Sequence, residues 1–133
     1  MKPLFAAVFS LFFAAPALAA TDIQTVETPM GFNAWLVEEP SIPFTSLEIR
    51  FRGGTSLDAP GKRGATNLMV GLLEEGAGDL DARGFAEARD ALAASFRYDS
   101  GPDSISVSAR FLTENRDEAV ALLRQSLVDP RFD

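Results

Sequence analysis

The sequence contains no cysteine and no histidine. Without cysteine there is no disulfide framework, no thiol nucleophile and no thiolate metal site. Without histidine, imidazole cannot serve as zinc ligand, general base or switch near neutral pH. Cations are also scarce, with 12 Lys and Arg against 19 Asp and Glu and a formal charge of -7. That balance argues against a nucleic-acid partner, because phosphate binding runs on Lys and Arg. At 133 residues the chain is one domain or a piece of one. An acidic chain lacking the commonest catalytic side chains remains.

The N-terminus has its own character. Met1-Lys2-Pro3 carries one cation, residues 4–15 are almost wholly apolar, and Ala17 and Ala19 form an A-x-A cleavage pattern. This is the layout of a secretory signal peptide over residues 1–19. The apolar run is too short to span a bilayer, which takes roughly 20 residues. An exported protein, periplasmic or secreted, is expected, with no membrane anchor once residues 1–19 are removed.

Beyond it, strands are expected at 23–27 and 32–38, separated by the turn-forming Pro29-Met30-Gly31. Pro40 and Pro43 mark a rigid extended link. A third strand alternates Leu47, Ile49 and Phe51 with Glu48, Arg50 and Arg52, ending at Gly53-Gly54. Over 64–75 the period becomes helical, with Ala65, Leu68, Met69, Leu72 and Leu73 as the expected core stripe. Asn67, Gly71 and Glu74, with Val70 beside them, fall on the other face. Gly76 and Gly78 are expected to stop this helix, and Asp81 to cap a second one reaching about residue 94. Short and long strands follow at 96–98 and 104–111, the latter alternating Ile105, Val107, Ala109 and Phe111 with serines and Arg110. A last helix starts at Asn115 and is closed by Pro130. Trp35 and the phenylalanines are expected in the core. The order β-β-β-α-α-β-β-α indicates an α+β domain, an antiparallel or mixed sheet with helices packed beside it.

Residues 61–76 (GKRGATNLMVGLLEEG) resemble the metal-binding helix of the pitrilysin/insulinase-like zinc peptidases, which carries the inverted motif H-x-x-E-H. Three further stretches are similar to that family in order. Residues 31–43 match its hairpin and proline-bearing link, 51–58 (FRGGTSLD) its strand exit, and 105–132 the strand, helix and P-x-F ending of its N-terminal half. The resemblance implies that residues 20–133 are the N-terminal part of a longer two-halved chain. Substrate-gripping residues and the third zinc ligand, a Glu, would then lie past Asp133.

Within that frame Asn67 stands at the first zinc His, Val70 at the general-base Glu and Gly71 at the second His. A catalytic zinc needs three protein ligands and an open water position, and Val cannot accept a proton. The expectation is a chain with no metal, cofactor or catalytic residue, inactive as a peptidase on its own. Asn67, Glu74 and Asp79 are the oxygen donors nearest to an alternative hard-cation set, short of the six or more oxygens Ca²⁺ takes. Residues 76–81 resemble a phosphate loop only superficially, since no Lys-Ser/Thr follows. By resemblance the expected partners are a homologous zinc-bearing peptidase subunit and extended peptides. A scaffold subunit that binds no peptide is the alternative.

Overall fold

In a computed structural model of the chain, residues 22–132 are described. The signal peptide expected over 1–19 lies outside them. The described residues fall into two compact units that divide between Glu39 and Pro40.

The first unit contains an antiparallel pair, β1 (Gln24–Glu27) and β2 (Asn33–Leu36), in register from Gln24 opposite Leu36 to Glu27 opposite Asn33. The connecting turn is closed by Thr28 N–H donating to the Phe32 carbonyl and Gly31 N–H to that of Thr28. Gly31 sits at φ 81°, a conformation that costs glycine nothing. Every residue of the two strands is exposed. Trp35, expected in a core, is 83% exposed, because a two-stranded ribbon offers no second layer to cover it.

The second unit is built on a three-stranded antiparallel sheet in the order β3–β7–β6, with β3 at Phe44–Arg52, β6 at Ser95–Ser100 and β7 at Ser104–Leu112. β3 begins earlier than its alternation suggested. The Pro43 carbonyl accepts from Thr113 N–H, so the proline link is already held to the end of β7. The strand period of two puts Leu47, Ile49, Phe96, Tyr98, Val107, Ala109 and Phe111 on one face. Helices α2 (Ala82–Ala91) and α3 (Arg116–Val128) pack onto it through Phe85, Ala119, Leu122 and Leu123, with Ala77 and Ala94 also in the buried cluster. Phe85 is fully buried and meets Phe96 with ring centroids 6.3 Å apart, inside the range where tilted aromatic pairs attract. The fold is α+β.

Two local expectations are corrected. The first helix, α1, runs only over Ala65–Gly71 and gives way to turns at 72–74. Gly76 and Gly78 do more than stop it: β4 (Gly76–Ala77) and β5 (Leu80–Asp81) form a minimal hairpin that leads into α2. The Asp81 carboxylate caps α2 as expected, accepting from Gly84 N–H at 2.7 Å. The chain end returns to the same hairpin, with Gly78 N–H donating to Asp129 and Arg131 N–H to Gly76. Pro130 bridges to Ala77 there.

Candidate functional site

The helix singled out by sequence is fixed at its start by one carboxylate. Asp58 follows a 3-10 turn at Thr55–Leu57 and reaches forward to α1. Its oxygens accept from Gly64 N–H at 2.6 Å, Thr66 N–H at 3.1 Å and the Thr66 hydroxyl at 2.6 Å. Three donors stabilise the charged form, the Thr66 hydroxyl most, and the Asp58 carboxyl is held below its ordinary value of 3.8. Gly64, at φ 93°, allows the chain to turn into the helix. The 3-10 turn is itself seated on the β6–β7 loop: Thr55 N–H donates to the Gly101 carbonyl and Ser56 N–H to that of Pro102.

This anchoring sets the rotation of α1, and the rotation differs from the expected one. Val70 is 3% exposed and Leu73 is also buried, with Thr66 half-buried between Asp58 and the helix. The stripe taken from sequence as core points largely outward: Leu68 is 65% exposed, and Met69 is exposed as well. Ala65, Leu68, Met69 and Leu72 line an open groove of about 230 Å³ together with Phe132. Counting apolar side chains selected the wrong face. A seven-residue helix held at its start by Asp58 turns positions 66, 70 and 73 inward, whatever the richer stripe would gain by burial.

Asn67 and Gly71 share the exposed side of α1, one helical turn apart. Asn67 Oδ1 accepts from the Ser100 hydroxyl at 2.7 Å, which ties α1 to the edge strand β6. A Cβ built on Gly71 meets no atom within 4 Å. Val70 does not join this pair, since its side chain is in the interior. The three positions that the resemblance sets against a zinc motif therefore offer an amide oxygen already engaged, a buried isopropyl group and bare backbone. These do not fit a zinc ion, which requires imidazole, thiolate or carboxylate donors converging at about 2.0–2.3 Å.

Glu74 is engaged too, its carboxylate meeting Arg89 at 3.2 Å. Arg89 also contacts Asp90, so α2 anchors the turn that follows α1 through a shared guanidinium. Among the described residues no group of three or more Asp, Glu, His or Cys converges as a metal cage. Of the three oxygen donors considered as a cation set, Asn67 is bonded to Ser100 and Glu74 to Arg89.

One feature of the sheet escaped the sequence because it depends on register. On the face opposite the core, β7 presents Ser104, Ser106, Ser108 and Arg110. Arg52, Arg50, Glu48 and Ser46 stand beside them on β3, and Asp99, Arg97 and Ser95 on β6. The small serines leave a shallow depression of about 410 Å³ between the taller side chains, Arg97, Arg110 and Glu48 among them. The alternation along β7 was visible in sequence, whereas the meeting of arginines from three strands was not. Both β3 and β6 pair on one side only among the described residues.

No family model matches the chain. A non-peptidase homologue from Helicobacter pylori, YmxG, is 30% identical over 118 residues, which is 89% of this chain and 26% of that protein. The crystal structure of the inactive domain of a peptidase M16 from Pseudomonas fluorescens superposes with a TM-score of 0.77 at 27% identity, covering 84% of this chain and 27% of that one. The chain thus spans about a quarter of the length of these relatives.

Proposed function

We propose that this chain, which shares the fold of an inactive peptidase M16 domain and carries Asn67, Val70 and Gly71 where the resemblance sets a zinc motif, acts as a non-catalytic subunit. It is exported by way of residues 1–19 and helps bind or enclose extended peptides for a zinc-bearing homologue. The observation that carries this reading is the Asn67–Gly71 side of α1, stripped of metal donors yet still bonded to the edge strand β6. A peptide added along such an edge gains main-chain hydrogen bonds whatever its sequence and needs no catalytic group from its host. The names of the two relatives, one a non-peptidase and one an inactive domain, support the non-catalytic part of this reading.

The test is to purify the protein alone and together with a homologue that keeps H-x-x-E-H. Peptidase activity is expected only in the pair, and peptide cross-linking should reach this subunit. Chelator-sensitive hydrolysis by this chain alone would overturn the reading. A pair that is active without any peptide contact to this subunit would leave it a scaffold.

A further inference from the structure

We infer that the outer face of the β3–β7–β6 sheet is a docking surface for acidic extended peptides, those with carboxylates at alternate positions. This adds a second surface, the sheet face, to the strand-edge reading above and rests on the same peptide-binding role. Arg50, Arg52, Arg97 and Arg110 share that face with only two carboxylates, Glu48 and Asp99. The face is therefore net positive on a chain whose formal charge is -7. Only Arg50 is neutralised, by Glu48 at 2.8 Å. Arg52, Arg97 and Arg110 make no ion pair with a described residue. Arg110 instead lies over the Phe44 ring, 5.2 Å from its centroid, which steadies the guanidinium without using its five donors.

The spacing names the ligand. Arg97 stands directly opposite Ser108, two residues along β7 from Arg110. Such diagonal neighbours are about 7–8 Å apart. An extended peptide advances about 3.4 Å per residue, so its side chains at i and i+2 are separated by roughly 7 Å. Two carboxylates in a Glu-x-Glu pattern can thus each take one guanidinium in a charge-assisted fork. The serines between them are small enough to leave room and polar enough to bond whatever lies over them. Nucleic acid fits less well: its unbroken run of phosphates would meet Glu48 and Asp99 as well as the arginines, whereas carboxylates at alternate positions can be set against the arginines alone.

The probe is a labelled seven-residue peptide alternating Ser and Glu, titrated into the purified protein by fluorescence anisotropy at low salt. Arg97→Ser with Arg110→Ser should weaken binding by about tenfold or more, the scale of losing a charge-assisted contact. Arg83→Ser, at an exposed site on α2, should leave it unchanged. Replacing Glu by Gln in the peptide should reproduce the loss, with circular dichroism showing both variants folded. The inference is overturned if the double variant binds as the parent does, or if the Gln peptide binds equally well. It also falls if single-stranded oligothymidylate outcompetes the acidic peptide, or if no peptide binds. Equal binding of the Gln peptide would remove the acidic preference and leave peptide binding standing. The subunit reading is decided separately, by activity of the assembled pair.

Discussion

Two glycines show how differently a missing side chain can matter. Gly54 is buried, and a Cβ there would fall on the Gly101 carbonyl oxygen and lie 2.9 Å from both the Pro102 carbonyl and Ser104 N. These are backbone atoms of the loop that seats the 3-10 turn, so they cannot swing aside. Gly54→Ala should cost at least the ~1–3 kcal/mol typical of overpacking. Gly71 is the reverse, with open space where a Cβ would go. Gly71→Ala should raise stability by about 0.5 kcal/mol through helix propensity. Urea unfolding of both variants checks the pair, and equal effects would refute the contrast. Asp58 adds a pH signature. Its folded carboxyl titrates below 3.8, so the tie to α1 is in force above that value and is lost as the pH falls through the lowered one. Melting temperature should drop on acidification in the parent and more shallowly in Asp58→Asn. Identical acid slopes would deny Asp58 this role.

At the scale of elements, β6 and α3 are joined by a hydroxyl pair, Tyr98 to Ser126 at 2.6 Å, with Ser126 also donating to the Leu123 carbonyl. Ser126 is fully buried. Tyr98→Phe should cost about 0.5–1.5 kcal/mol, the usual net worth of one such bond. Burial raises the Tyr98 phenol above its ordinary 10.0, so the unfolded chain ionises first and stability should fall once the pH exceeds that value. The phenylalanine variant should show a weaker alkaline loss in the same unfolding measurement. Sequence made some of this legible. The alternation of residues 104–111 gave β7 almost to its ends, because a strand with one buried face must repeat every two residues. Asp81 announced α2 by its capping chemistry. The orientation of α1 was not legible, because two turns of helix carry too few residues for periodicity to outweigh a tether such as Asp58. The β4–β5 hairpin was hidden for a related reason. Two-residue strands have no period, and Gly76 and Gly78 read equally well as helix stops. The serine-floored face needed register across three strands, which no single stretch of sequence contains.

For the molecule as a whole, the absence of imidazole and thiolate from the sequence and the engaged oxygens around α1 lead to one expectation. A bound metal would raise the melting temperature by mass action, and a chelator would lower it. Melting should therefore be the same with added zinc and with excess EDTA, whereas a shift of several degrees would reveal a site that these side chains do not explain. The exposed stripe of α1 has a separate bearing on how the protein behaves in solution. Among the described residues Leu68, Met69, Leu72 and Phe132 leave an oily seam on a chain whose net negative charge opposes contact with its copies. Salt shortens the reach of that repulsion to about 3 Å at 1 M and leaves the seam as attractive as before. The protein should hence stay dispersed in dilute buffer and cluster in concentrated brine, with Leu68→Lys restoring clear solutions.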